Sequence, residues 1–332
     1  MRLDAPAGGE GALIARIAQC VGQIPLPEAA RLVQGIGDDT AVLQVGEQTL
    51  LWTADMLVEG VHFRLDWTDA ASLGWKSLAV NLSDIAAMGG TPVGALLSMA
   101  LPSERTGAWL DAFVEGFAEC ARTYGAALLG GDTNRAERVA IDVSVLGILM
   151  GQPVMRRGAQ AGDWLLVSGA LGGSRAGLHA LAAGKTAAID LTPHFRPAPR
   201  LQVGALARAL GASTMMDLSD GLAADLPKLL RASGVGAVVY AGRIPVHPVA
   251  AHWAHGQGID PVAFAIAGGE DYELLIAAPP AVAQQLLVRV PAETGVPLTQ
   301  IGEVLEVPEL WLAREDGMRE SFEIVGWDHF QA

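Results

Sequence analysis

The chain has 332 residues, 51% of them hydrophobic, and a formal net charge of −14. That length favours two domains over one core, and the apolar content argues against disorder. The charge disfavours the extended basic surface that nucleic acid requires, and two distant cysteines, Cys20 and Cys120, offer neither a disulfide framework nor a zinc site.

In chain order, the opening Met1-Arg2-Leu3-Asp4 has no signal-peptide pattern, so a reducing cytoplasm is expected. Ala41 to Val45 and Thr49 to Thr53 read as strands around a turn at Gly46-Glu47. Ala70 to Met88 reads as a helix closed by Gly89-Gly90, with Pro92 just beyond. A strand follows at Ala95 to Leu101, stopped by Pro102. Glu104 to Tyr124 is amphipathic, with Leu110, Phe113, Phe117, Ala121 and Tyr124 at helical spacing. Strands at Ala126 to Leu129 and Val139 to Met150 complete a ββαβαββ order. The second of these is the longest apolar stretch, and Asp142 within it speaks against a membrane span.

Gly151-Gln152-Pro153 and Arg156-Arg157 mark a boundary, giving expected domains 1–150 and 151–332. Beyond it the pattern predicts a strand at Trp164 to Ser168, a glycine-rich turn at Gly169 to Gly173 and a helix at Ser174 to Ala183. Lys185 to Pro199, with three prolines, reads as a surface connection. Helices at Arg200 to Leu210 and Leu222 to Ser233 and strands at Thr214 to Asp217 and Ala237 to Tyr240 follow. Later strands are expected at Tyr272 to Ala277, Gln300 to Val304 and Leu310 to Ala313. The fold class is α/β of the α+β kind: an N-terminal mixed sheet with helices on one face, then a C-terminal α/β sandwich.

An acidic chain can bind polyphosphate when divalent cations sit between carboxylate and phosphate. Such a chain should cluster its aspartates. Six segments answer: Gly35 to Asp39, Thr53 to Asp55, Asn81 to Asp84, Gly130 to Thr133, Asp217 to Gly221 and Gly268 to Asp271. Any one of them alone reads as a helix cap or turn; six together point to metal. Asp84 is the most telling, because it lies inside an apolar helix with Ser77 and Asn81 on its stripe and no basic residue one turn away. A carboxylate buried there needs a cation or a hydrogen-bonding environment. Familiar nucleotide motifs are absent. Ala183-Gly184-Lys185-Thr186 imitates the tail of a P-loop, but His179 stands where the first glycine belongs, and a helix precedes it. His252 and His255 lack partner ligands for zinc. The turn at Gly169 to Gly173 reads equally as an anion cradle or as a plain strand-to-helix turn.

The segments GIGDDTAVL, TADMLVEGVHF, WKSLAVNLSDIAAMGGTP, LLGGDTNR, DLSDGLAADL and AGGEDYELL, with a closing GWDHF, together resemble the thiamine-monophosphate kinases across nearly the whole chain. The wider superfamily includes aminoimidazole ribonucleotide synthetase and selenophosphate synthetase. The resemblance implies a homodimer formed through the N-terminal sheet, with ATP and several Mg²⁺ ions in a cleft against the C-terminal domain. It implies a metal cluster of Asp39, Thr53, Asp55, Asp84, Asp132, Asp217 and Asp220. ATP would be contacted by Tyr124, Gly131, Asp132, Arg156 and Ser219, with Arg157 the alternative to Arg156. His62, Glu270 and Trp327 would lie near thiamine monophosphate. Ala54 departs from a position that is often Thr or Ser in that family. A ligand there would have to be a backbone carbonyl or water.

The reaction so implied is direct transfer of the ATP γ-phosphoryl group to thiamine monophosphate, without a phosphoenzyme, as the last step in making thiamine diphosphate. The acceptor phosphate, with a second pKa near about 6 by analogy with phosphorylated side chains, needs no general base. Neutralising anion against anion is the main task. A metal-dependent phosphohydrolase and a non-catalytic nucleotide scaffold are the alternatives. Neither nucleic acid nor membrane is expected as a partner.

Overall fold

The computed structural model describes residues 10–21, 24–187, 189–314 and 316–322. Trp327 and the GWDHF ending lie outside these residues. The chain starts with α1 (Glu10–Val21), then β1 (Ala30–Gln34), β2 (Ala41–Val45), β3 (Gln48–Val58), α2 (Ala70–Ala87), β4 (Thr91–Leu101), α3 (Ala108–Tyr124), β5 (Ala127–Arg135) and β6 (Ala140–Leu149). These strands form a mixed sheet ordered β1-β2-β3-β6-β4-β5, antiparallel except for the β4–β5 pair. The expected order thus gains a leading strand. β1 is an edge strand without clean alternation of buried and exposed positions, so period-two patterning does not announce it.

β3 shows how sequence sets the layers. Leu51, Thr53 and Leu57 are buried, while Trp52, Ala54 and Met56 between them are exposed. The buried face packs on α2 and α3, whose Leu73, Leu78, Leu82, Ile85, Phe113 and Phe117 join the core; among the described residues no helix packs on the other face. β3 also runs five residues past its expected end, so Asp55 is in mid-strand. β5 likewise continues to Arg135, which places Gly131 and Asp132 inside a strand.

α2 begins at Asp69, whose carboxylate accepts from the Ser72 N–H at 2.8 Å, and ends with Gly89 at a φ of 69°. The glycine stop is the one the sequence pattern signals, and the Asp69 cap satisfies an N–H group that the first turn leaves unpaired. Almost the whole helix is buried, because it is held on two sides. Against α3 the backbones approach through glycines: a Cβ on Gly74 would lie 2.0 Å from the Phe113 carbonyl oxygen, and one on Gly116 1.8 Å from that of Ala71. At the other end Ala86 and Ala87 pack on Val203 and Ala207 of a helix in the second half.

That half runs β7 (Trp164–Ser168), α4 (Gly173–Ala182), α5 (Thr192–Phe195), α6 (Leu201–Leu210), β8 (Thr214–Asp217), α7 (Leu222–Ser233), β9 (Gly236–Tyr240), α8 (Pro248–Gln257), α9 (Pro261–Ile266), β10 (Leu274–Ala278), α10 (Pro280–Thr294), β11 (Leu298–Leu305), β12 (Leu310–Ala313) and β13 (Arg319–Ser321). Its sheet is ordered β13-β12-β9-β11-β7-β10-β8, and only the β9–β12 pair is parallel. Leu165 and Val167 face a core containing α7, and Leu166 faces one containing α6 and α10, so both faces are covered. The result is an α/β sandwich beside an N-terminal mixed sheet. No helix among the described residues is long and apolar enough to cross a membrane.

The segment from Lys185 to Pro199 needs correction. It contains α5, and His194 within it is only 5% exposed. Proline-rich composition hides this, because a four-residue helix has no period to read.

Candidate active site

The cleft between the two halves has a volume of about 520 Å³. One end is built from carboxylates. Asp39, in the turn before β2, Asp84 on α2 and Asp217 at the end of β8 each bring an oxygen within 4.8 Å of the others. Each is fixed by its neighbours. The Thr53 hydroxyl on β3 donates to Asp84. Ser83, one residue earlier on α2, donates to Asp217 Oδ2 at 2.7 Å. The Asn81 side chain accepts from the Asp55 N–H at 3.0 Å, tying β3 to the same helix. The Arg156 guanidinium bonds Asp39, while its backbone N–H donates to Asp38. Arg157 is exposed, so Arg156 is the arginine that faces the cluster.

Positive charge is short here. Burial raises Asp84 well above the ordinary carboxylate range, and Asp55, Asp217 and Asp39 push the same way. Asp217 is raised by burial and then by Asp39. Burial also raises Asp39, though Arg156 opposes it. Asp38 rises to about 6, through burial and then Asp39. Asp39 Oδ2 is buried with no hydrogen-bond partner. A carboxylate group with an orphaned oxygen, all-oxygen donors and mutual repulsion fits a hard divalent cation such as Mg²⁺.

Asp220 also lines the cleft, but its carboxylate is bonded to Lys228, which reaches Asp225 as well at 2.8 Å. Ser219 stands beside it. The far end is lined by Val61, His62, Arg175, His179, His194 and Glu270. Glu270 adopts a φ of 62°, and its loop is pinned by Glu270 N–H to the Ser219 carbonyl at 2.7 Å and Tyr272 N–H to Leu218 at 3.0 Å. The His62 ring accepts from the Val58 N–H at 3.0 Å.

Asp39, Thr53, Asp55, Asp84 and Asp217 therefore converge, with Ser219 and Asp220 on the same wall and His62 and Glu270 further along. Gly131, Asp132 and Tyr124 do not join them. Asp132 is exposed on edge strand β5, its carboxylate accepting from the Thr133 N–H and Asn134 side chain, both at 2.9 Å. Three strand spacings separate it from β3, about 14 Å in all. The Tyr124 ring packs edge-on to Trp75 at 5.9 Å, and burial pushes its phenol up to about 12. The turn at Gly169 to Gly173 is a cradle, but it is filled by one of the protein's own carboxyl groups: Gly172 and Ser174 N–H groups donate to Asp271 at 2.6 and 3.3 Å. Gly184, in the P-loop-like tetrapeptide, merely ends α4 with a φ of 64°.

Sequence reasoning missed three residues that pair with carboxylates lining the cleft. Lys76 pairs with Glu270 at 2.8 Å, His194 lies 3.4 Å from the same carboxylate, and Lys228 holds Asp220. Only Lys228 carried a local signal, one turn after Asp225 on a helix that starts beside Asp220.

Residues 37–149 match the AIR synthase related protein, N-terminal domain, and residues 160–312 match its C-terminal domain. The thiamine-monophosphate kinase of Synechococcus elongatus is 39% identical over 89% of this chain and 91% of its own. That of Salmonella typhimurium is 38% identical over 98% and 99%. The solved structure described as AaThiL complexed with AMPPCP and TMP superposes with a TM-score of 0.84 at 32% identity, over 97% of both chains.

Proposed function

The chain belongs to the thiamine-monophosphate kinase family of AIR synthase related proteins, and from that premise we propose that its cleft transfers the ATP γ-phosphoryl group directly to the phosphate of thiamine monophosphate, with Mg²⁺. The observation that carries this reading is the convergence of Asp39, Asp84 and Asp217 at one end of a cleft whose other end holds Glu270. Mg²⁺ held there would neutralise the phosphates of donor and acceptor.

The chain's own groups do the rest. Thr53 and Ser83 fix the rotamers of Asp84 and Asp217, so that the oxygens point at one spot before substrate arrives. Arg156 adds a fixed cation beside them. No side chain needs to remove a proton, because the acceptor phosphate is largely ionised at neutral pH. Glu270 and His62 serve the acceptor's rings, and Ser219 the nucleotide.

Asp132 and Gly131 enter through a second copy. The face of the first sheet opposite α2 and α3 exposes Trp52, Met56 and Leu96, at 51%, 55% and 43%. Such a face on a lone chain would be a liability in water. Asp132 is in the strand register of Ser98, Asp142 and Met56 across that sheet. Pairing two such faces makes a dimer in which each edge strand can reach the neighbour's cluster. Trp52→Glu should then yield a monomer by light scattering and lose turnover. A monomeric parent would overturn the dimer, and a fully active monomeric variant would overturn the part given to Asp132 and Gly131 of the second copy.

The function itself is tested by incubating the chain with Mg·ATP, with and without thiamine monophosphate, and measuring ADP and thiamine diphosphate. Equal amounts of both, only with acceptor, are expected. ADP without acceptor would indicate a hydrolase, and no turnover a scaffold.

A further inference from the structure

Lys76 is 3% exposed, a burial that lysine rarely has without an anionic partner. Its Nζ lies 2.8 Å from Glu270 Oε1. The chain accepts a left-handed backbone at Glu270, a conformation that costs a non-glycine residue about 1 kcal/mol or more. That geometry separates two neighbouring acids: Glu270 lines the cleft, while Asp271 is tied to the start of α4.

The second Glu270 oxygen, Oε2, lies 3.4 Å from His194 Nδ1 and 3.5 Å from Ser174 Oγ. His194 carries no charge at neutral pH, because burial and then Lys76 push it down to about 4. Burial alone would raise Glu270, yet Lys76, foremost among its neighbours, holds it below the ordinary range. Two roles fit a buried pair of this kind. It can be a strut between α2 and the 268–272 loop, or it can set up Glu270 for a ligand. The side-chain exposure decides between them. Lys76 is closed off at 4%, but Glu270 keeps 27% and lines the cavity. A strut would bury both ends.

We infer that Lys76 is a positioning residue for acceptor recognition: it takes Glu270 Oε1 and leaves the ionised carboxylate facing the amino-substituted and cationic rings of the acceptor. This rests on the thiamine monophosphate reading above. Lys76 touches neither substrate nor metal, and acts only through Glu270.

The test varies each substrate in turn for the parent, Lys76→Met, Lys76→Arg, Glu270→Gln and the double variant Lys76→Met/Glu270→Gln, with thermal unfolding alongside. Lys76→Met should raise KM for thiamine monophosphate about ten- to hundredfold, the range of a lost charge-assisted contact, with kcat and KM for ATP within about threefold. Lys76→Arg should recover part of this. The double variant should be no worse than Glu270→Gln, since Lys76 has no other route to the acceptor. An unchanged KM for thiamine monophosphate in Lys76→Met, equal effects on both substrates, or multiplied effects in the double variant would overturn the inference. Should Lys76→Met not fold, Lys76→Gln carries the same comparison. Equilibrium dialysis with thiamine monophosphate repeats it without turnover. A parent that binds but does not phosphorylate overturns the kinase reading while Lys76→Met still decides this one; a parent that does not bind overturns both.

Discussion

Replacing Asp84 by Asn should make the metal-free protein more stable while weakening its response to Mg²⁺. Asp84, Asp39 and Asp217 place oxygens within 4.8 Å of one another. Two unit charges at that separation repel by about 3 kcal/mol at an effective dielectric of 20. One shared proton relieves part of this, which leaves about 1 to 2 kcal/mol to be recovered by the neutral amide. Asn keeps an oxygen for the Thr53 hydroxyl, and its NH2 group faces the Asp39 and Asp217 oxygens as acceptors. At roughly 2–4 °C per kcal/mol for a chain of this size, melting in EDTA at neutral pH should rise by a few degrees. Added Mg²⁺ should raise the melting point of the parent markedly and that of Asp84→Asn little, and the variant should lose most turnover. A variant that melts lower than the parent in EDTA would show that Asp84 is not repelled. Equal Mg²⁺ stabilisation of both would show that it is not a ligand.

The buried Asp271, raised to about 8 by burial against the pull of the Gly172, Ser174 and Gly173 N–H groups, gives a pH signature. Its folded pKa lies above the unfolded value, so its favourable contribution is complete below about pH 4 and is lost as pH rises through about 8. Asp271→Asn should therefore gain on the parent by about 1 to 3 kcal/mol between pH 5 and 8.5 in urea unfolding; a constant gap would refute this. Gly116→Ala forces a methyl toward the Ala71 carbonyl at 1.8 Å, and should cost about 3 kcal/mol or more by chemical denaturation, since two buried backbones must part. An unaltered denaturation midpoint would mean the helices can separate freely. His62→Ala should raise KM for thiamine monophosphate more than KM for ATP, and equal effects in steady-state kinetics would remove His62 from the acceptor end.

The layers were legible because their signals are periodic. Trp164 to Ser168, Thr214 to Asp217, Leu222 to Ser233 and Leu310 to Ala313 stand where the pattern puts them. Asp84 was legible for a different reason: a carboxylate in an apolar helix needs a partner, and the sequence offered no basic residue one turn away. Its partners are instead Thr53 and two other aspartates. What stayed hidden depends on distant strands and loops. Lys76 meets Glu270 only because α2 crosses the 268–272 loop, and His194 sits in a segment too short for any period. The position of Asp132 was hidden too. Its place beside glycine suggested a strand end near the cluster, but sheet order carries it to the far edge.

α2 has one more consequence. It carries Lys76 and Asp84 on a single buried helix, with about 12 Å of axis between them at 1.5 Å per residue. Its N-terminal half is locked against α3 by two facing glycines, and its last turn is wedged against α6, where a Cβ on Gly204 would lie 1.9 Å from the Ala86 carbonyl oxygen. The helix therefore works as a fixed gauge. A molecule that carries a phosphate but lacks a ring at the right reach can satisfy one mark on it and miss the other. On the proposed function, this helix would let the cleft select by length as well as by charge.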